Sequence, residues 1–245
     1  MIAIPDGVDP SKITTGVVVD PDGTVHHVPT KITVIDGKYY AVINSLTNSA
    51  YSVIWNPVEF TDVENHWAKS SVNNMGSRIV VSGVGSNNYE PDRDITRAEF
   101  AAIMVRALGL EPGKGASGFD DVSVSDWFSG YIKTASEFGL INGYGTGMFG
   151  PNNKITREQA MTIIARAMKI TGLETSMTAE NVKSLLSEFT DGTSISAYAK
   201  DGIAACISAG IVKGKSVNTI APTDNITRAE VAVIVERLLQ KSDLI

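Results

Sequence analysis

Pro91-Asp92-Arg93-Asp94-Ile95-Thr96-Arg97 returns as Pro151-Asn152-Asn153-Lys154-Ile155-Thr156-Arg157, and again as Pro222-Thr223-Asp224-Asn225-Ile226-Thr227-Arg228. In every copy a Gly lies eight residues before the Pro (Gly83, Gly143, Gly214), and an apolar residue lies two before it (Tyr89, Phe149, Ile220). Self-similarity at fixed internal spacing marks one supersecondary unit used three times. What stays fixed across the copies is what the unit needs, for folding or for binding.

Downstream of each Thr-Arg, apolar residues fall at Phe100, Ile103, Met104, Ala107 and Leu108, at Ala160, Ile163, Ile164, Ala167 and Met168, and at Val231, Ile234, Val235, Leu238 and Leu239. That spacing is one face of an α-helix. Thr96 with Glu99 and Thr227 with Glu230 match a capping box, and Thr156 with Gln159 matches its Gln form. Three stripes in one register predict packing against one another as a pseudo-threefold bundle. The Arg is unlike its neighbours. It sits at the first helical position, where a cation is mildly unfavourable beside the positive end of the helix dipole. Neither the cap nor the stripe needs it. Two readings are open: it holds a carboxylate within the unit, or it holds an external anion beside free helix N–H groups.

Upstream, each unit opens with Phe60-Thr61-Asp62-Val63, Phe119-Asp120-Asp121-Val122 or Phe189-Thr190-Asp191-Gly192. An aromatic follows (Trp67, Trp127, then Tyr198), and a helix is expected near 68–77, 128–138 and 199–209. Gly139 and Gly210 fit left-handed stops for the last two. Ile79 occupies that place in the first copy, so its turn is expected to differ. Each Asp is expected to cap the first helix or bond the loop, and each aromatic to be partly core with one ring face free.

The chain has 245 residues, 43% hydrophobic and 20% charged, with a net charge of −6. It is long enough for one or two domains. The acidic balance argues against nucleic acid or an anionic membrane as partner, and an acidic ligand needs a local cationic site. One cysteine, Cys206, excludes an intrachain disulfide and is expected to be an inert core residue. No apolar run approaches the roughly 18 residues of a membrane span. The start does not read as a signal peptide, which suggests either a cytoplasmic protein or a piece of a longer exported one.

Taken in order, the Phe-x-Asp opening, the aromatic-led helix, the Gly loop and Pro-x-x-x-Ile-Thr-Arg-Ala-Glu resemble the surface-layer homology (SLH) module of bacterial cell-envelope proteins. The resemblance runs over about residues 58–242 and depends on a three-part motif repeated three times. It implies a mainly α fold of three helix-loop-helix modules in one pseudo-threefold unit, a monomer with grooves between adjacent modules. It also implies non-covalent attachment of an exported protein to an acidic secondary cell-wall polymer linked to peptidoglycan, often at a pyruvylated amino-sugar terminus. Location would be extracellular, at the cell wall or surface layer, with no cofactor and no membrane insertion. Carried onto this chain, the motifs point to Arg97, Arg157 and Arg228 as anion ligands. They point also to Asp62, Asp121 and Asp191, and to loop residues Gly83, Gly143 and Gly214. Trp67, Trp127, Tyr144 and Tyr198 suit stacking on a sugar, and Lys215 adds a cation in the third loop. The copies are not identical. Glu158 and Gln159 change the charge expected near Arg157, and the third copy has Gly192, Tyr198 and Lys215-Ser216, so two working grooves are expected rather than three.

The expected organisation is a β-rich segment at 1–57, modules at 58–110, 117–171 and 189–242, and a helical insertion at 172–188. Turn signals at Pro21-Asp22-Gly23 and Ile35-Asp36-Gly37-Lys38 separate expected strands near 14–19, 26–35, 38–45 and 50–56. Adjacent His26 and His27 face opposite ways on a strand and do not suit a metal. No metal-ligand cluster, phosphate loop or Cys/His nucleophile pattern is present in the sequence, so no catalytic residue is assigned. Two rival readings are a surface-lattice assembly module and the tail of a cell-envelope glycosidase.

Overall fold

A computed structural model describes residues 1–46 and 49–245. The first 54 residues hold two three-stranded antiparallel sheets. Strand β1 (Ile2–Ala3), β5 (Lys38–Ile43) and β4 (Thr30–Ile35) form one, in the order β1-β5-β4. Strands β3 (Val25–Val28), β2 (Thr15–Val19) and β6 (Tyr51–Ile54) form the other, in the order β3-β2-β6. The expected single strand over 26–35 is two strands in different sheets, divided at Pro29. A Pro cannot donate to a ladder, so the chain changes sheets there. Between β4 and β5, Asp36 (φ 50°) and Gly37 (φ 77°) both take left-handed backbone, the two-residue hairpin that Asp-Gly favours.

The sheets are not a loose prelude. Asn56 Nδ2 donates to the Ser77 carbonyl (2.8 Å), and Arg78 Nη1 to that of Thr30 (3.3 Å). His27, on β3, is 3% exposed. At Gly109 a side chain would meet Pro29 Cδ at 2.5 Å, so the end of the first repeat's second helix lies directly on the sheet.

Helices α1 (Lys69–Ser77), α3 (Ser129–Glu137) and α6 (Lys200–Ser208) are the first helices of the repeats; α2 (Arg97–Ala107), α4 (Arg157–Ile170) and α7 (Arg228–Lys241) are the second; α5 (Ala179–Leu186) is the insertion. All three capping boxes form: Thr96, Thr156 and Thr227 accept from the N3 amide, and Glu99, Gln159 and Glu230 accept from the cap amide. The first helices end alike. Ile79 (φ 63°) takes the same left-handed conformation as Gly139 (67°) and Gly210 (70°). The amide of Val80 reaches the Met75 carbonyl as those of Leu140 and Ile211 reach Ala135 and Cys206. The expectation of a different first turn is therefore corrected. The hydrogen-bond pattern of the turn is kept, and a branched residue carries a conformational cost of about 1–2 kcal/mol.

The repeats close on one another through backbone. Ile95 N–H donates to Ile226 O (3.1 Å), Ile226 N–H to Ile155 O (3.1 Å), and Ile155 N–H to Ile95 O (3.2 Å). All three side chains are fully buried. The first two amides of each second helix then find carbonyls of another repeat's Pro turn. Arg97 and Ala98 donate to Asn153 and Pro151, Arg157 and Glu158 to Asp224 and Pro222, and Arg228 and Ala229 to Arg93 and Pro91.

The expectation of a mainly α chain in a pseudo-threefold bundle is corrected. The protein is 35% helix and 14% strand, with two sheets and seven α-helices among the described residues, an α+β arrangement. The second helices also touch one another only sparingly. Each packs chiefly on a first helix: α2 on α3, α4 on α6, α7 on α1. The reason is on the faces opposite the predicted stripes. Ala98, Ala101, Ala102 and Val105 on α2, Met161 and Ala165 on α4, and Ala229, Ala232 and Val233 on α7 are also buried. A helix apolar on both sides takes neighbours on both.

Candidate functional site

Each repeat Arg crosses to another repeat. Arg97 Nε donates to Phe149 O (2.9 Å) and Nη2 to Asn142 O (3.2 Å). Arg157 Nε donates to Ile220 O (2.8 Å). Arg228 Nε donates to Tyr89 O and Nη2 to Ser82 O, both 2.7 Å. The Nε acceptor is always the apolar residue two before a Pro. The three Arg residues are 6%, 2% and 5% exposed, so a large share of their bonding serves the fold. Burial pulls the proton affinity of Arg97 and Arg228 down from the ordinary value; both stay charged, as a guanidinium does in proteins.

The idea of free helix amides beside the Arg is also corrected. Amides N1 and N2 are held by the neighbouring turn, and N3 by the Thr cap. Any anion bound here meets side chains first.

The carboxylates of Asp62, Asp121 and Asp191 bond the loop. Asp62 accepts from Tyr89 and Glu90 N–H (2.8 and 2.6 Å), Asp121 from Phe149 and Gly150 (2.8 and 2.7 Å), and Asp191 from Ile220 and Ala221 (2.9 and 2.7 Å). The second residue of each pair has positive φ: Glu90 57°, Gly150 72°, Ala221 52°. The Asp thus fixes a left-handed backbone just before the Pro, strained at Glu90 and Ala221 and free of strain at Gly150. The repeat glycines answer a packing need. A Cβ on Gly83 would lie 2.8 Å from Phe60 Cε1, on Gly143 2.7 Å from Phe119 Cε1, and on Gly214 2.6 Å from the Thr219 carbonyl.

Two cavities gather the remaining candidates. The larger, about 360 Å³, is lined by Arg97, Asn142, Gly143, Tyr144, Gln159, Thr162, Ile163, Arg166 and Tyr198. All three repeats contribute: the first its Arg, the second its loop and helix, the third its aromatic. Tyr144 stacks on the Arg97 guanidinium at 4.6 Å. The smaller, about 200 Å³, takes Arg228, Gly83, Trp127, Arg93, Glu99 and Arg106 among its walls. Neither includes Asp62, Asp121, Asp191, Trp67, Gly214 or Lys215. Trp67 is 66% exposed, and Lys215 pairs with Asp224 at 2.7 Å.

The departures between copies converge. Glu158, expected to affect Arg157, instead accepts from Ser196 N–H (3.0 Å), Ser196 Oγ (2.8 Å) and Tyr198 Oη (3.0 Å). It thereby sets the Tyr198 ring against the Arg97 cavity. Burial, then the Glu158 carboxylate, push the Tyr198 phenol up to about 12. Sequence reasoning missed this, and also a second cation on each second helix: Arg106, Arg166 and Arg237. Each lies nine residues after the repeat Arg, a spacing as regular as the motif itself. Arg106 and Arg166 line the two cavities.

Residues 59–101, 118–161 and 188–232 match the S-layer homology domain, over more than half of the chain. The protein belongs to the S-layer homology family. An exoglucanase of Acetivibrio thermocellus is 36% identical to this SLH chain over 198 residues, 81% of the chain and 18% of the enzyme. An amylopullulanase of Thermoanaerobacterium thermosulfurigenes is 36% identical over 199 residues, 81% of the chain and 10% of that protein. The surface-layer 125 kDa protein of Lysinibacillus sphaericus is 30% identical over 180 residues, 72% of the chain and 14% of that protein. The SLH chain thus spans a minor part of each relative's length. Relatives in surface layers and cell walls put its place outside the cell, at the wall.

Proposed function

We propose that this SLH chain anchors a protein to the cell wall by binding an acidic secondary cell-wall polymer, with the carboxylate of a pyruvylated amino-sugar terminus seated at Arg97. The observation that carries this reading is the guanidinium of Arg97. Its Nε and Nη2 are held by carbonyls, its Nη1 has no protein acceptor, and it forms no ion pair among the described residues. It faces a cavity with tyrosine walls, and a pyranose suits such walls because its C–H face is apolar while its rim hydrogen-bonds. Gly143 and Tyr144 form the loop wall, Tyr198 adds a second tyrosine face, and Arg166 a second cation. Binding of this kind needs no chemistry on the ligand, and any hydrolytic activity would belong to other parts of a longer protein.

The test is isothermal titration with a synthetic pyruvylated N-acetylmannosamine glycoside, alongside the same sugar without pyruvate. Micromolar or tighter binding that requires the pyruvate is expected, with Arg97→Ala abolishing it while the helical signal is retained. Equal affinity for the two sugars would remove the carboxylate from the account. No binding to either by the folded protein would turn attention to a protein partner.

A further inference from the structure

The repeat Arg residues differ in their counterions, and the difference traces to one position. In the cycle of repeats, Arg157 and Arg228 each meet the last residue of another repeat's capping box. Arg157 Nη1 donates to Glu230 Oε1 at 2.6 Å. Arg228 Nη1 lies 3.7 Å from Glu99 Oε1, which also accepts from Arg93 Nη2 at 2.8 Å. The corresponding place in the cycle beside Arg97 falls to Gln159, and the two line one cavity. A Gln can close the capping box, since its Oε1 accepts from Thr156 N–H at 3.3 Å. It cannot neutralise a guanidinium. Its Nε2 group is a donor, as Arg97 Nη1 is, and neither has a protein acceptor among the described residues. The cavity therefore presents two donors where Arg157 and Arg228 already have a carboxylate.

We infer that Gln159 selects the binding groove: a ligand carboxylate at Arg97 takes the counterion position that Glu230 fills at Arg157 and Glu99 at Arg228, so the chain binds one acidic sugar. The inference rests on the anchoring reading and adds to it the determinant of which groove works and how many do. It replaces the expectation of two working grooves. Arg97 feels the Asp121 carboxylate only at a distance, and a buried guanidinium with no carboxylate in contact is costly, a cost relieved when an anion arrives. At the other two Arg residues, a ligand must first displace a carboxylate held by a covalently attached, already ordered helix. The pairing of the repeat Arg, rather than the total charge of the lining, then separates the grooves. The ligand class follows: an acceptor-only carboxylate, able to take one bond from guanidinium and one from amide.

Titration of the full chain with the pyruvylated glycoside, for wild type, Gln159→Glu and Gln159→Met, decides the matter. Gln159→Glu places in the second repeat the residue that already caps the first and third, so it folds by precedent; thermal melting checks this. Wild type is expected to bind one sugar per chain. Gln159→Glu is expected to weaken binding by about tenfold or more, as loss of a charge-assisted hydrogen bond implies. Gln159→Met removes the amide but supplies no carboxylate, so its loss is expected to be smaller. Two or three sugars per wild-type chain, unchanged affinity in Gln159→Glu, or equal losses in both variants would each overturn the inference while leaving the anchor reading intact. No binding by wild type would overturn the anchor reading, and this inference with it.

Discussion

Acid should loosen this protein through one buried imidazole. His27 on β3 is 3% exposed, with Nδ1 2.9 Å from Thr15 Oγ1 and Nε2 without a partner among the described residues. Thr15 Oγ1 itself donates to Val28 O at 3.3 Å. Burial, and then the positive charge of Arg78, drive the imidazole down from 6.5 to about 3. His26, Arg106, Asp20 and Glu111 line the adjoining cavities, and none of the carboxylates bonds to His27. In the unfolded chain His27 takes up a proton near its ordinary value, whereas the folded protein refuses it until far lower pH. The unfolded state therefore binds more protons below about pH 6.5, and stability must fall with falling pH. At about 1.36 kcal/mol per pKa unit, this linkage removes about 2 kcal/mol between pH 7 and pH 5. Urea unfolding at pH 7, 6 and 5, for wild type and His27→Leu, measures it. The other histidines, His26 beside Asp20 and His66 beside Asp92, are common to both proteins, so the difference between the two pH curves belongs to His27. Parallel curves would refute the reasoning, whatever the offset between them.

Asp121→Ala frees the amides of Phe149 and Gly150 from a carboxylate and should cost about 2–3 kcal/mol in urea unfolding, two charge-assisted bonds being lost. Gly139→Ala meets no atom within 4 Å, so its expected loss of about 1–2 kcal/mol, read from thermal melts, is purely the left-handed backbone.

The helices, their caps and the inserted α5 were legible because their causes are local. A Thr, a Glu three residues on and an apolar stripe act within a few turns. Asp-Gly at 36–37 announced a hairpin for the same reason. The failures share a different cause. Ile79 takes a glycine's backbone because its repeat's hydrogen bonds demand it, and a residue-by-residue propensity cannot see that demand. Pro29 divides a strand run that composition alone joins. Comparison of copies identified the Arg but not the repeat it serves: position 97 acts on the loop at 142–149, position 228 on that at 82–89. That circular offset puts Gln159 in the wall of the Arg97 cavity and Glu158 behind its Tyr198, rather than beside Arg157. It is also why Arg106 and Arg166, ordinary helix-surface cations by pattern, turn out to flank the candidate sites.

The ring of Ile95, Ile155 and Ile226 amides has a consequence for how the protein comes into being. In a solenoid each repeat rests on its sequence neighbour, so losing the last repeat trims the array and spares the rest. Here the first repeat donates to a carbonyl of the third, more than half the chain away, and the third donates back to Pro91 and Arg93 in the first. During translation neither of the first two repeats can complete its hydrogen bonds until the final helix has emerged. Such distant pairings slow folding, because the intervening chain must be ordered before they form. Truncation before residue 226 would strand a buried Ile95 amide and an Ile155 carbonyl together. Loss of the third repeat therefore unpairs buried backbone in both of the others.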